Sequence, residues 1–433
     1  MVWLGLTGDL ARVARLVSYD PLPAEDGAAC DLPVSLPSGS LLAGELPLRN
    51  ILLQTRIAAE TQDASQRKPE RMIQDPYAAY SAVAVDPAHD EVVLTDENLF
   101  KIWIYDRGAK TRPNQTIELK RVIGGLNTKI EFQCGLYIDP ANGDIYAVNN
   151  DTIDTLVVFS RQAIGDVAPD RELHTPHGTF GIAVDEEKRE LFLTVQHDNA
   201  IVVYNKSAKG TEAPLRVVQG DDTGLADPHG MALDTKRNLL YVTNHGSTHQ
   251  VRAREGAGGR RRGAFPGFPL DRDDAVPGSG KIGAPSITVY TKDAQGNARP
   301  LRTIQGPKTQ MDWPTGIAID EDRNEIFVGN DGGNSVLVFD ASAQGDAAPV
   351  RIIKGPASLV SNPTGVFLDK KNNELWVANF GNHTSAVYRP DANGDAAPLR
   401  VIRSASPDQP VPGLGNPHPL AYDSRRGQIL VPN

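Results

Sequence analysis

The chain has 433 residues and a formal net charge of −10, with Lys+Arg 44 against Asp+Glu 54. That balance excludes a general nucleic-acid binder, whose affinity rests on clustered Lys and Arg against phosphates. No apolar run reaches the roughly 18 residues of a membrane-spanning helix, and Gly 40 with Pro 32 fits many short strands joined by turns.

Residues 1–30 form an N-terminal extension with one short helix, marked by Leu10, Val13, Leu16 and Val17 at helical spacing. It lacks the charged start and apolar core of a signal peptide. PLRNIL follows, with Arg49, resembling the last strand of a repeat whose first part is missing. The repeat itself then runs to the C-terminus. An apolar strand ends in Asp, a polar turn follows, and a second apolar strand closes ten residues after that Asp. AVAVDPAHDEVVLTD (82–96) is followed by GLYIDPANGDIYAVN (135–149), GIAVDEEKRELFLTV (181–195), GMALDTKRNLLYVTN (230–244), GIAIDEDRNEIFVGN (316–330), GVFLDKKNNELWVAN (365–379) and PLAYDSRRGQILVPN (419–433). After a third strand, a fourth of the form APLRVI carries Arg121, Arg171, Arg216, Arg302, Arg351 or Arg400. The final copy stops after its second strand, so the orphan halves at the two ends are complementary.

A self-similar unit of this length predicts a β-propeller. Seven copies predict an all-β, seven-bladed ring of four-stranded antiparallel blades over residues 31–433, with strand A innermost and strand D outermost. The last blade would pair the N-terminal strand with the C-terminal half repeat, leaving no open sheet edge. Residues 251–285, rich in Gly, Pro and Arg, interrupt the fourth repeat as a long mobile loop. Cys30 and Cys134 form no CxxC, zinc or haem motif, and whether they pair is open.

At YVTN (241–244) and its variants YAVN, FVGN and WVAN the chain resembles the YVTN and NHL group of propellers. The resemblance implies the fold, and an extracellular or periplasmic setting. It spreads function over surface and adhesion proteins, lactonases, antibiotic-inactivating lyases and an amidating lyase that holds zinc on propeller histidines. Fold alone therefore does not choose the activity.

The repeated Asp and Asn read as side chains that bond nearby backbone where strands end, and the strand-D Arg as outer-surface or inter-blade pairing. The histidines are asymmetric. His174, His177, His229 and His418 fall in D-to-A connections and His197, His245, His249 and His383 in B-to-C connections, on one face; only His89 lies in an A-to-B turn. That face, with Trp313, is the expected binding face. TPHG, DPHG and NPHP place His177, His229 and His418 near the start of strand A, as the amidating-lyase resemblance would have for zinc or copper, with calcium a further option. Against this, Thr315 and Thr364 stand at two equivalent positions, and His177 is about three residues out of register. The arginine loop (Arg252, Arg254, Arg260, Arg261, Arg262) reads as solvated, offset by Asp271, Asp273 and Asp274. The leading expectation is a non-enzymatic binding or assembly propeller with a protein partner or self-association. The alternatives are a metal-dependent lyase or lactonase and a self-assembling filament or layer subunit.

Overall fold

The computed structural model describes residues 76–111, 119–150, 153–248, 251–252, 274–275, 279–405, 421–423 and 428–430. By compactness the chain divides into residues 76–413 and a second unit made of 1–75 with 414–433.

Residues 76–413 build six four-stranded meanders, each with its strands in chain order. Blade 1 is β1 (Tyr80–Asp86), β2 (Glu91–Asp96), β3 (Lys101–Asp106) and β4 (Arg121–Ile123). Blade 2 is β5 (Gln133–Ile138), β6 (Ile145–Asn149), β7 (Thr155–Phe159) and β8 (Arg171–His174). Blade 3 is β9 (Thr179–Asp185), β10 (Glu190–Val195), β11 (Ala200–Asn205) and β12 (Arg216–Gln219). Blade 4 has β13 (Pro228–Asp234) and β14 (Leu239–Asn244), then the insertion pieces β15 (Ser247–Thr248), β16 (Val251–Arg252), β17 (Asp274–Ala275) and β18 (Lys281–Ile282), then β19 (Ser286–Thr291) and β20 (Arg302–Gln305). Blade 5 is β21 (Pro314–Asp320), β22 (Glu325–Asn330), β23 (Ser335–Asp340) and β24 (Arg351–Ile353). Blade 6 is β25 (Pro363–Asp369), β26 (Glu374–Asn379), β27 (Thr384–Tyr388) and β28 (Arg400–Arg403).

The core lies between blades, which explains strands that are apolar on both faces. One apolar cluster fills each seam. Tyr146 and Leu156 of blade 2 pack with Leu193 and Tyr204 of blade 3, and Tyr241 of blade 4 with Phe339 of blade 5. The same holds between blades 1 and 2, 3 and 4, and 5 and 6. A sixth cluster joins Tyr80, Val83 and Leu94 of blade 1 to Trp376, Ala378 and Ile402 of blade 6. Repeated glycines let the inner strands approach: a Cβ on Gly230 would stand 2.2 Å from the Thr315 carbonyl of the next blade, and one on Gly365 would stand 2.8 Å from the Ser81 carbonyl of blade 1.

The strand-D arginines close the same seams from outside. Arg171, Arg216, Arg302, Arg351 and Arg400 each donate to a backbone carbonyl of the following blade, at Ala208, Lys292, Ala341, Pro390 and, for the sixth blade, Arg107. Arg121, Arg216, Arg351 and Arg400 also grip Glu91, Glu190, Glu325 and Glu374 of their own blades through two nitrogens each. Inter-blade pairing is thus their role.

The blade count corrects the expectation. Among the described residues six four-stranded blades stand where seven were expected, and the sixth packs directly on the first through the contacts that join every other pair. The seventh copy contributes β29 (Ala421–Asp423) and β30 (Gln428–Leu430), a two-stranded sheet. The segment around Arg49 and the N-terminal extension lie outside the described residues. Within and beside the insertion, β15 pairs with β18 and β16 with β17, both antiparallel. Among the described residues, no helix is long and apolar enough to cross a membrane.

The repeated Asp and Asn behave as read. Asp86 accepts from the backbone N–H of Ala88 and His89, Asp185 from Glu187 and Lys188, and Asp320 from Asp322 and Arg323, so each caps its A-to-B turn. Asn149, Asn244, Asn330 and Asn379 accept from the N–H of Glu131, Ala226, Asp312 and Ser361, tying the end of strand B to the D-to-A connection of the same blade. These bonds fix the loops around the start of the inner strand in blades 2, 4, 5 and 6.

Candidate functional site

In each blade the residue just after strand B sits beside the residues that open strand A, because the two strands pair antiparallel at that end. In blade 4 the register sets Pro228 opposite Asn244. Asp227 and His229 on one side are therefore brought to His245 on the other, and the His245 N–H donates to the Asp227 carbonyl at 3.1 Å. Among the described blades, blade 4 alone carries an imidazole on both sides of this corner. His229 and His245 are 5% and 9% exposed. Their rings stack with centroids 3.4 Å apart and planes 20° from parallel.

The hydrogen bonds assign the His229 tautomer. Asn150 Nδ2 donates to the Thr179 carbonyl and to Gln196 Oε1, which leaves the Gln196 amide nitrogen as a donor. That nitrogen faces His229 Nε2 at 2.5 Å, and His229 Nδ1–H donates to the Asp227 carbonyl at 3.0 Å. Blades 2, 3 and 4 are thereby linked at one end of the ring. The Asp227 carboxylate is oriented by Ser247, whose hydroxyl donates to Oδ2 at 2.7 Å, and lies 3.5 Å from His229 Nδ1 and 3.9 Å from His245 Nδ1. One ligand atom from each of Asp227, His229 and His245 can be chosen so that all lie within 4.8 Å of one another.

His245 is the unusual member. Its Nε2 is buried with no hydrogen-bond partner among the described residues, an arrangement that costs about 1–3 kcal/mol. Burial, with His229 adding to it, depresses its pKa well below the ordinary histidine value, so the ring is neutral at pH 7. Phe180 covers His229 at 4.3 Å, and Trp313 from blade 5 stacks on His245 at 5.0 Å.

Trp313 is held in an unfavourable backbone. In blades 3, 4 and 6 the equivalent positions hold Gly178, Asp227 and Asn362 at φ 73°, 56° and 42°, and Trp313 of blade 5 sits at φ 51°, whereas Ala79 and Phe132 of blades 1 and 2 are not left-handed. Gly, Asp and Asn tolerate the left-handed region, whereas a bulky side chain there costs about 1–2 kcal/mol. Its indole is nevertheless 50% exposed.

The same end carries two carboxyls whose ionisation is suppressed. Burial, reinforced by the charges of Asp331 and Asp96 against a hydrogen bond from the Cys134 thiol, pushes Glu97 up to about 8. Burial raises Asp331 too, with Asp312 adding, although Asn362 donates to it. Cys134 is buried, its Sγ 3.6 Å from Glu97 Oε1.

The histidines expected on the binding face divide into groups. His229 and His245 meet, with Trp313. His177 is exposed, bonds Asp154 at 3.0 Å and lies against the exposed His197 at 4.9 Å, forming a second cluster. His174 is exposed, 3.9 Å from a Glu172 oxygen. His383 is buried and donates to the Ala78 carbonyl at 2.8 Å, which makes it part of the seam between blades 6 and 1. His249 and His418 lie outside the described residues, as do Cys30 and the side chains of the arginine loop. Of the expected trio, His418 lies outside the described residues, His229 meets His245 and Asp227, and His177 meets His197. Sequence reading missed Asp227, Gln196, Glu97 and Asp331. The available signal was position, since Glu97, Gln196, His245 and Asp331 all directly follow the last residue of strand B.

No protein-family model matches the chain, and no curated protein matches it. Among solved structures it is similar to hydrazine synthase from Kuenenia stuttgartiensis, at 13% identity and a TM-score of 0.48 over 75% of this chain and 99% of that one. It is also similar to a functionally unknown protein from Desulfotomaculum acetoxidans DSM 771, at 12% identity and a TM-score of 0.48 over 78% of this chain and 90% of that one. None of these comparisons assigns the chain to the YVTN and NHL group.

Proposed function

We propose that this protein is a binding propeller that takes its ligand where the inner strands begin, over the corner between blades 4 and 5. Trp313 carries the reading. A tryptophan occupies a left-handed position that in blades 3, 4 and 6 holds Gly, Asp or Asn, with its indole stacked on a buried imidazole and the residue half exposed. Backbone strain of this kind, held in place by the surrounding fold, is a feature of ligand sites. Exposed aromatic surface beside convergent polar groups is what a pocket for a planar polar group requires. The Trp313 indole stacked on the neutral His245 ring favours a planar ligand that carries a polar group.

The test is ligand-observed saturation-transfer NMR with a panel of aromatic acids and amides, run on the intact protein and on Trp313→Ala. Binders whose signal disappears with the indole support the reading. A panel whose binding is indifferent to Trp313→Ala contradicts it.

A second reading, a metal-dependent lyase or lactonase, is favoured by one observation. Two imidazoles and a carboxylate share one corner, and the same end of the ring carries Glu97, an acid that titrates near neutral pH. Turnover of lactone or amidated substrates by the metal-loaded protein, lost in His229→Ala, would select it over simple binding.

A further inference from the structure

The corner of blade 4 carries more than a stacking surface. The geometry points to a divalent transition-metal site formed by Asp227, His229 and His245, with one coordination position left for an exogenous ligand. The inference rests on the reading of this corner as the ligand site and specifies what the ligand would meet there.

Three observations support it. The donor set is two imidazoles and one carboxylate, a three-ligand combination that suits zinc or ferrous iron and leaves an open position. The set is anchored on backbone rather than on loose side chains: Asp227 and His229 flank the first residue of β13, His245 follows the last residue of β14, and the register of that pair holds them together. Third, the His245 ring has a buried nitrogen without a partner, although the His229 ring stacked on it is bonded through Gln196 to Asn150 and Thr179. A ligand that accepts the lone pair of a neutral imidazole removes that cost.

The fit is close but asks for movement. Tetrahedral bonds of about 2.0–2.1 Å place ligand atoms about 3.3 Å apart, against separations within 4.8 Å here. Two nearly parallel rings cannot both aim in-plane lone pairs at one ion, so the metal must draw them out of their stack. Rotation about side-chain torsions supplies this, and His229 must exchange its bond with Gln196 or with the Asp227 carbonyl for the ion. Ser247, bonded to Asp227 Oδ2, leaves Oδ1 for the ion and is the outer-shell partner that a ligating carboxylate needs. One carboxylate and two neutral imidazoles leave a divalent ion with a net positive charge, which favours an anionic or strongly polar group at the open position.

The experiment uses the full chain, stripped with chelator and titrated with Zn²⁺ by calorimetry and with Co²⁺ by visible absorption. The expected result is one equivalent bound, a cobalt spectrum of four- or five-coordinate intensity, and a rise in thermal midpoint on zinc addition. His245→Ala, His229→Ala and Asp227→Ala should each weaken zinc binding by a hundredfold or more and abolish the rise. Circular dichroism of each metal-free variant separates a lost site from a lost fold. Should a variant fail to fold, His245→Gln, which keeps most of the ring's volume, provides the same comparison. Absence of binding at micromolar zinc, or binding unchanged in all three variants, would overturn the assignment. Trp313→Ala separates the two proposals: it should leave zinc stoichiometry intact while removing the aromatic ligands, so either can fail while the other stands.

Discussion

Glu374 and Arg107 are 267 residues apart in sequence, yet Arg107 Nη1 lies 3.0 Å from Glu374 Oε2 across the seam between blades 6 and 1. The two side chains are 10% and 18% exposed, so solvent screens them little. Burial alone would raise the Glu374 carboxyl, but hydrogen bonding and charge from Arg400, with Arg107 adding, hold it below the usual range. At an effective dielectric of about 20, unit charges about 4 Å apart attract by about 4 kcal/mol. Desolvation of both groups reduces the net coupling to about 1–2 kcal/mol. A double-mutant cycle of Glu374→Gln and Arg107→Gln, read by urea unfolding, should return that value. The bond from Arg107 to Asp90 (2.6 Å) is lost in both arms that carry the arginine change and so cancels. The single Glu374→Gln change should cost more, about 3 kcal/mol or above, because Arg400 loses its carboxylate as well. Additive effects within about 0.3 kcal/mol would mean that blade 1 does not follow blade 6, and the six-blade arrangement would be wrong.

Three further outcomes follow from the site. Glu97, raised to about 8 when folded, holds a proton that the unfolded chain releases near pH 4.5. Its contribution to stability is complete below that pH and is lost as pH climbs towards 8. Glu97→Gln should therefore gain stability relative to the parent from pH 5 to pH 8 in urea melts, and parallel pH profiles would contradict this. Gly230→Ala puts a methyl 2.2 Å from the Thr315 carbonyl, and overpacking at that seam should cost at least about 1–3 kcal/mol in a thermal melt; an unchanged midpoint would count against the tight approach of the inner strands. Trp313→Asn relieves a left-handed backbone but gives up the half-buried indole. At about 25 cal/mol per Å² over roughly 100 Å² the loss is about 2–3 kcal/mol, against a gain of about 1–2 kcal/mol. Net stability should fall by about 1 kcal/mol, and a loss of several kcal/mol would give Trp313 a structural role instead.

The blades were legible because the repeat states its own hydrogen bonds. An Asp that caps a turn and an Asn that ties strand B to its neighbouring connection recur at fixed spacing, and the glycine that opens the motif marks where the next inner strand approaches. Ring size was not legible in the same way. Counting copies gives seven, but the number of blades is set by which surfaces meet at each seam, and Trp376 against Tyr80 is a contact between residues almost 300 positions apart that spacing does not reveal. The histidines were assigned to a face from connection type alone. That they divide, with His229 and His245 meeting while His383 is consumed by a seam, depends on strand register and burial. Glu97 and Asp331 were overlooked because an acidic residue in a polar turn looks solvated until its environment is known.

The claim that the corner between blades 4 and 5 receives the ligand is tested most directly by a crystal structure of the protein soaked with a compound selected in the saturation-transfer screen. The account predicts density stacked on the Trp313 indole and reaching Gln196 or His245. Density confined to the outer rim, or at the A-to-B turns of the opposite face, would contradict it.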